Sequence, residues 1–183
     1  MNKIYIDFDG VLLDTWEYIL KKYYDIYNTK EIIDSNLRKL MIDIGWDKII
    51  KNSNEINDNI KKLKLLSKKY YICVLSKINS SIEEQIKRKF LLNNGIVNMC
   101  FVPYDHPKSR YAVSKENILI DDDIKNLDDW SEHGGKSIFF NKNLNNVDSY
   151  GNLNDNYLII NDLLNIHDII KDRRNREWKQ ELF

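Results

Sequence analysis

Residues 3–15 have the sequence KIYIDFDGVLLDT, and this stretch decides the fold class. Residues 3–8 are mostly β-branched or aromatic and Gly10 follows closely, which predicts a strand that ends in a tight turn. Asp7 and Asp9 alternate at the carboxyl end of this strand, so their side chains point to one face. Ligands of open parallel sheets bind beyond the carboxyl ends of the strands. The two acids therefore lie where a ligand would bind. Their presence is explained equally well if they cap the helix that follows.

Short apolar runs predict the remaining strands of the sheet. These runs cover residues 70–75, 99–102, 117–121, 137–140 and 157–160. Helical spacing of apolar residues predicts helices between most of them, over residues 55–69, 80–92, 126–133 and 162–172. Strands that alternate with helices are typical of a parallel α/β sheet. We therefore predict an α/β protein with a Rossmann-like three-layer αβα core.

The segment 15–54 interrupts this alternation. Its apolar residues have helical spacing, and no strand pattern occurs within it. We predict that it forms a small helical cap inserted after the first strand, and that residues 1–14 and 55–183 form the core. The Asn-rich stretch 141–156 is predicted to be a loop.

Composition excludes several classes of function. Lys plus Arg and Asp plus Glu each number 28, so the formal net charge is zero and stable nucleic-acid binding is not expected. No run reaches the ~18 apolar residues that a membrane-spanning helix needs. Acidic residues interrupt the first apolar run, so no signal peptide is predicted and we expect a cytoplasmic protein. Cys73 and Cys100 lie in apolar contexts and are predicted to be buried free thiols.

A second group of acids follows the predicted strand 117–121. Asp121, Asp122 and Asp123 are consecutive, and three acids beside a buried strand are costly without a counter-ion. If this strand neighbours the first, the carboxylates of both groups converge on one point. Hard oxygen ligands of this kind suit Mg²⁺. A solvated helix N-terminus is the alternative, and we prefer that alternative only for Asp123.

The other candidate residues could bind phosphate. Ser76 directly follows the apolar run 70–75, at the same predicted edge as the acids, where its hydroxyl and free backbone N–H groups could hold a phosphate oxygen. Lys77 and Gly10 are candidates for the same role. A site with this many acids also needs a protein cation, and Lys108 and Lys115 both precede the strand 117–121.

The motifs taken together resemble those of the haloacid dehalogenase-like hydrolases. IDFDGVLLDT, residues 6–15, is similar to motif I of that superfamily, DxDG(V/T)xxDT. Ser76 after an apolar run resembles motif II, a lysine ahead of the fourth strand resembles motif III, and ILIDD at 118–122 resembles motif IV. All four occur in the order of the superfamily, across residues 1–140.

Within that superfamily, residues 107–140 are similar to the small 5′(3′)-deoxyribonucleotidases. The pattern of those enzymes is K-x-x-Y-A, L-I-D-D, N-x-x-x-W and G-G. The matching residues are Lys108, Tyr111, Ala112, Asp121, Asp122, Asn126, Trp130, Gly134 and Gly135. The resemblance identifies Lys108, rather than Lys115, as the motif III lysine.

The resemblance implies a phosphatase mechanism. Asp7 would attack phosphorus and form an aspartyl phosphate, and Asp9 would protonate the leaving oxygen and then activate water. Mg²⁺ would bind the Asp7 carboxylate, the Asp9 backbone carbonyl and Asp122, with Asp121 in support. Ser76 and Lys108 would hold the phosphoryl oxygens.

The substrate implied by the resemblance is a nucleoside monophosphate. Aromatic residues of the predicted cap could stack on a base, although such residues at helical spacing more often belong to a core. The residues concerned are Trp16, Tyr18, Tyr23, Tyr24, Tyr27 and Trp46. A small cap also leaves two alternative phosphoesters open, a sugar phosphate and a nucleic-acid 3′-phosphate.

Two further possibilities concern partners. The chain could be a non-catalytic relative that binds another protein through the same fold, because fold alone does not determine function. The tail, with Trp178 and Phe183, could dock on a second subunit to form a homodimer.

Overall fold

A seven-stranded sheet organises the computed structural model, which describes residues 3–143, 151–153 and 157–171. Its strands are β1 (Lys3–Ile6), β2 (Tyr71–Ile78), β3 (Met99–Pro103), β4 (Ile118–Asp121), β5 (Lys136–Phe140), β6 (Gly151–Leu153) and β7 (Tyr157–Ile160). Their order across the sheet is β3-β2-β1-β4-β5-β7-β6. All neighbouring pairs are parallel except β6 with β7, which is antiparallel.

Helices cover both faces of the sheet. They are α1 (Thr15–Tyr27), α2 (Asp34–Ile44), α3 (Trp46–Asn52), α4 (Asn59–Leu66), α5 (Ser81–Asn93), a 3-10 helix (Lys108–Tyr111), α6 (Ile124–Glu132) and a last helix at 165–171. Alternate residues of the strands enter different clusters: Ile4 and Ile6 pack in one and Tyr5 in the other. The first cluster includes residues of α4, α5 and the last helix, and the second includes Trp130 of α6. The prediction of a three-layer α/β core is confirmed.

The central position of β1 brings the two acid groups together. Ile6 is level with Val74 of β2 on one side and with Ile120 of β4 on the other. The backbone N–H of Asp7 donates to the carbonyl of Ile120 at 2.9 Å. Asp7 and Asp121 therefore emerge side by side at the carboxyl edge, where a parallel sheet of this kind binds its ligands.

A helical insertion follows β1, as predicted: α1, α2 and α3 lie within the segment 15–54, and α4, which was predicted to belong to the core, comes next before β2. The two ends of the segment 15–54 lie close to each other. Asp14 N–H donates to the Asn54 carbonyl at 2.9 Å, and Ile56 N–H donates to the Leu12 carbonyl at 3.0 Å. The chain thus leaves and re-enters the core at neighbouring points, an arrangement that suits a cap, and the division into two domains stays a prediction.

Several predicted boundaries differ from the structure. β2 continues to Ile78 because Ser76 and Lys77 pair with residues of β3, so these two residues lie within the strand rather than after it. β6 falls inside the stretch predicted to be a loop. The helix predicted from residue 55 begins at Asn59, because Asp58 has a left-handed backbone with φ of 54°. The last helix begins at 165, and residue 172 lies outside the described residues.

The two cysteines differ in their surroundings. Cys73 is buried as predicted, whereas Cys100 is partly exposed because β3 is the edge strand of the sheet. Their sulfur atoms are 3.6 Å apart, and both are free thiols. Within the described residues, no helix has the length and apolar character needed to cross a bilayer. Trp178 and Phe183, on which the dimer prediction depends, lie outside the described residues.

Candidate active site

Three carboxylates meet at the carboxyl edge of the sheet. Asp7 follows β1, Asp121 ends β4 and Asp122 follows it, and each offers an oxygen within 4.8 Å of those of the other two. Asp7 and Asp121 are buried. This acidic cluster could hold a divalent cation, because hard oxygen donors at this separation are the ligands that Mg²⁺ prefers.

Lys108 provides the protein cation of the cluster. It is fully buried, and its Nζ lies 2.7 Å from Asp7 Oδ1 and 2.7 Å from Asp121 Oδ2. Burial would lower the pKa of the Lys108 ammonium, but the charges of Asp121 and Asp7 outweigh burial and raise that pKa. Lys115, the alternative from the sequence, is exposed. The 3-10 helix at Lys108–Tyr111 thus directs Lys108 to the acids. Its role as the motif III lysine stays a prediction.

Neighbouring groups on α6 orient the Asp121 carboxylate. Asn126 Nδ2 donates to both of its oxygens, at 3.3 Å and 3.1 Å, and the backbone N–H of Asp123 donates to Oδ1 at 2.9 Å. Asp123 itself caps α6, because its side chain accepts from the N–H of Lys125. This contact is the helix-capping role that the sequence favours for Asp123.

The charge of the acidic cluster is not balanced by Lys108 alone. Burial, partly offset by Lys108 and increased by the charges of Asp121 and Asp9, raises the pKa of Asp7 to about 7. Burial, together with the charges of Asp7 and Asp121, raises the pKa of Asp122 to about 8. The protein by itself therefore stabilises the protonated forms of these acids, and a cation would take the place of the protons.

Gly10 makes room for the Asp122 carboxylate. A Cβ added to Gly10 would lie 1.9 Å from Asp122 Oδ2, and φ of Gly10 is 76°, a value that favours glycine. Any side chain at this position would displace a member of the acidic cluster. The role predicted for Gly10 in phosphate binding stays a prediction.

The Asp9 carboxylate is held separately from the acidic cluster. Thr15 Oγ1 donates to Asp9 Oδ1 at 2.7 Å, and Ser76 Oγ donates to Asp9 Oδ2 at 3.3 Å. A third donor is Lys87, whose Nζ lies 2.5 Å from Asp9 Oδ2. Asp7 and Asp9 are two residues apart in the chain but have different partners, so they are suited to different chemical tasks.

Sequence reasoning missed Lys87 and its partner Glu83. Both side chains lie on α5 and are fully buried, and Lys87 Nζ is 2.7 Å from Glu83 Oε1. Lys87 Nζ also donates to Ser76 Oγ at 3.0 Å and lies 4.6 Å from the centre of the Trp46 ring. A Glu and a Lys four residues apart on a helix normally form an exposed pair, so the sequence contains no signal that these two are buried.

Two adjoining cavities open beside these residues. The first, about 270 Å³, is lined by Asp7, Asp9, Lys77, Lys108 and Asp122 among others. The second, about 450 Å³, is lined by apolar residues of α2 and by Arg38. The residues that line both cavities are Trp16, Met41, Trp46, Asn79 and Tyr104.

Only two of the six predicted cap aromatics line these cavities. They are Trp16 and Trp46, whereas Tyr23 is fully buried in the core. Tyr18, Tyr24 and Tyr27 line neither cavity. Tyr104, which follows β3, lines both and was not predicted.

Comparison with known proteins identifies the fold. No protein-family model matches the sequence, and no curated protein matches it. Among solved structures, a hydrolase from Pseudomonas syringae is 14% identical with a TM-score of 0.62, covering 94% of this chain and 99% of that one. A haloacid dehalogenase-like hydrolase from Streptococcus pneumoniae is 12% identical with a TM-score of 0.58, covering 77% and 85%.

A third similar structure is a haloacid dehalogenase family enzyme from Bacteroides thetaiotaomicron in complex with magnesium and inorganic phosphate. It is 17% identical with a TM-score of 0.51, and the match covers 79% of this chain and 96% of that one. At these identities the similarity establishes the fold alone, so the chain has the haloacid dehalogenase-like fold. The descriptions of these structures lend no support to the narrower resemblance to deoxyribonucleotidases.

Proposed function

We propose that this protein is a Mg²⁺-dependent phosphomonoesterase that works through an aspartyl phosphate on Asp7. The observation that carries the proposal is that two neighbouring acids, Asp7 and Asp9, have different surroundings. Asp7 lies in the acidic cluster with Asp121 and Asp122, while three donors hold the Asp9 carboxylate outside it. A nucleophile beside a cation site and a separate acid–base group are the two carboxyls that such a mechanism needs.

The residues of the acidic cluster have complementary roles in the first step. Asp7 Oδ attacks phosphorus, and Lys108, 2.7 Å from Asp7, attracts the phosphoryl oxygens as they approach. When bound, Mg²⁺ at Asp7, Asp122 and the Asp9 carbonyl would shield the nucleophile from the negative charge of the phosphoryl group. Asp121 holds Lys108 from its other side. Lys77 lines the same cavity and is proposed to contact the phosphoryl group. Ser76, predicted for the same role, is fully buried and donates to Asp9 Oδ2, so its part in phosphate binding stays a prediction.

Asp9 carries the proton in both steps. Its carboxyl group protonates the leaving oxygen as the phosphorus–oxygen bond breaks. It then takes a proton from the water that hydrolyses the aspartyl phosphate. The similar enzyme from Bacteroides thetaiotaomicron, which was solved with magnesium and inorganic phosphate, supports this assignment of cofactor and product.

Hydrolysis of p-nitrophenyl phosphate tests the proposed reaction. The purified protein is expected to release p-nitrophenol with Mg²⁺ present and to lose this activity when a chelator removes the ion. A protein that shows no turnover with Mg²⁺, while remaining folded, would instead be the non-catalytic binding protein that the sequence left open.

The preferred substrate class in this proposal is a nucleoside monophosphate. The cavity at the acidic cluster adjoins a larger, mainly apolar one, and Trp16 and Trp46 line both. A flat base can stack on such rings, and stacking on an aromatic side chain is worth about 1–3 kcal/mol per base. A phosphate at Asp7 with a base in the second cavity would use both spaces.

The activity on nucleoside monophosphates is expected to depend on Trp16. We expect Trp16→Ala to raise KM for these substrates by roughly tenfold, because it removes a stacking surface, and to change KM for sugar phosphates little. Steady-state kinetics on a panel of both substrate types measures this. Tyr24→Ala is the matched control, because Tyr24 lies on the same helix, is equally exposed at 41% and lines neither cavity. Higher activity on sugar phosphates or on 3′-phosphate ends of nucleic acid would reject the nucleotide assignment.

Mg²⁺ affinity is expected to rise with pH up to about 8, the raised pKa of Asp122. Below the raised pKa values of Asp7 and Asp122 the ion-free protein holds protons that the ion must displace. As the pH falls below these pKa values, the Mg²⁺ affinity should therefore weaken by about tenfold per pH unit for each proton that the ion displaces. Calorimetric titration with Mg²⁺ across this pH range measures the slope.

Two variants of adjacent acids sharpen the pH experiment. Asp122→Asn removes a ligand, so weaker binding and a flatter pH slope are expected. Asp123→Asn keeps the helix cap and lies outside the acidic cluster, so its slope should match that of the unaltered protein. Equal slopes for all three proteins would place the ion elsewhere.

A further inference from the structure

We propose that Lys87 is a positioning residue that holds the Asp9 carboxylate in place for proton transfer. The proposal rests on the proposed phosphatase function and adds a residue that the known motifs do not include. Lys87 does not line the cavity at the acidic cluster, so it acts through Asp9 and not on the substrate.

The burial of Lys87 calls for a reason. Its side chain has no solvent exposure, and an ionised lysine in a protein interior is costly unless its partners compensate for the lost hydration. Glu83 Oε1 at 2.7 Å and Asp9 Oδ2 at 2.5 Å supply that compensation. An apolar residue would pack on Phe8 and Trp46 at lower cost, since both rings lie beside the Nζ atom. The contact with Asp9 is what an apolar residue cannot provide.

The contacts of Lys87 fix one orientation of Asp9. Lys87 Nζ and Ser76 Oγ hold Asp9 Oδ2, and they also contact each other at 3.0 Å, while Thr15 Oγ1 holds Asp9 Oδ1. Both carboxylate oxygens are thereby restrained. Glu83, the other carboxylate partner of Lys87, is fixed as well, because the backbone N–H of Asn79 donates to Glu83 Oε2 at 2.8 Å. Restraint of this kind matters because proton transfer depends on hydrogen-bond geometry.

In the proposed reaction Lys87 keeps all its protons. Asp9 gives one proton to the leaving oxygen as the bond from that oxygen to phosphorus breaks and an Asp7 oxygen bonds to phosphorus. It later accepts one proton from water as the oxygen of that water bonds to phosphorus and the Asp7–phosphorus bond breaks, which frees the Asp7 carboxylate. Lys87 remains at Asp9 Oδ2 during both steps. Without Lys87, the restraint on that oxygen would be reduced to the longer contact from Ser76.

The leaving group provides the test. We expect Lys87→Met to lower kcat/KM for the best nucleoside or sugar phosphate of the panel by about a hundredfold, since alkoxide departure needs the proton from Asp9. For p-nitrophenyl phosphate, whose leaving group departs without a proton, the loss should stay below about fivefold. Lys89→Met, an exposed lysine of the same helix, should change neither value.

A double-mutant cycle separates this role from a purely structural one. In an Asp9→Asn background, Lys87→Met should cause no further loss of kcat/KM, because the group through which Lys87 acts is already absent. Losses that multiply, or that are equal for both leaving groups, would overturn the proposal. Should Lys87→Met fold poorly, Glu83→Gln/Lys87→Met removes the unpaired buried carboxylate and carries the same expectations. An unaltered protein that hydrolyses neither substrate overturns the proposed function, and the role of Lys87 with it.

Discussion

Asp7→Asn is expected to abolish phosphatase activity, with a loss of at least about 10⁴-fold in kcat. The amide of asparagine is no nucleophile, so no covalent bond to phosphorus can form. The change is small in volume, and Lys108 keeps Asp121 as a partner at 2.7 Å. Release of p-nitrophenol with Mg²⁺ present measures the loss, including the absence of an initial burst.

The same variant should not be less stable than the unaltered protein without Mg²⁺. The folded pKa of Asp7, about 7, lies above its ordinary value of 3.8, so ionised Asp7 destabilises the fold increasingly as pH rises from near 4 toward 7. Asn removes that charge, and thermal unfolding at about pH 8 should show an equal or higher midpoint. Asp25→Asn, an exposed acid of α1, is the control and should keep both activity and stability. Substantial turnover by Asp7→Asn would reject Asp7 as the nucleophile.

The sheet and its acidic edge were predictable because their signals are local. Strands of a parallel sheet are buried on both faces and have continuous apolar runs, as in 70–75 and 117–121. Acids directly after such runs must lie at the carboxyl edge. The convergence of Asp7 with Asp122 then required only that the two strands be near neighbours, and β1 pairs directly with β4. The extension of β2 to Ile78 depends on pairing with β3, which the sequence of β2 does not reveal.

The environment of Asp9 could not be predicted because it reverses the ordinary pattern of α5. In an ordinary amphipathic helix the apolar Ile82 would face the core and the charged residues would face solvent. In α5, Ile82 is 65% exposed, whereas Glu83 and Lys87 are buried. The inversion is explained by partners from distant parts of the chain: Asp9 after β1, Ser76 on β2 and Trp46 on α3. The two cavities have the same origin, because their shared lining comes from the inserted helices and the edge of the sheet.

Asp9→Asn is expected to lower kcat by about 10²–10⁴-fold, the usual contribution of a positioned acid–base group. Its amide oxygen can still accept from Lys87, and Thr15 can accept from the amide nitrogen, so the local structure should persist. Mg²⁺ affinity should be nearly unchanged, because Asp7, Asp121 and Asp122 remain and Asp9 is proposed to use its backbone carbonyl. Calorimetric titration and steady-state kinetics measure the two effects separately.

The Asp9 variant also allows the two chemical steps to be told apart. With p-nitrophenyl phosphate, the first step needs no proton from Asp9, whereas hydrolysis of the aspartyl phosphate still needs Asp9 to activate water. Asp9→Asn should therefore release a burst of p-nitrophenol close to one equivalent per protein and then turn over slowly. Asp7→Asn, which cannot form the intermediate, should show no burst. Two results would contradict the proposal that Asp7 is the nucleophile and Asp9 the acid–base group. One is an unchanged turnover rate in Asp9→Asn, and the other is a loss of Mg²⁺ binding together with activity in that variant.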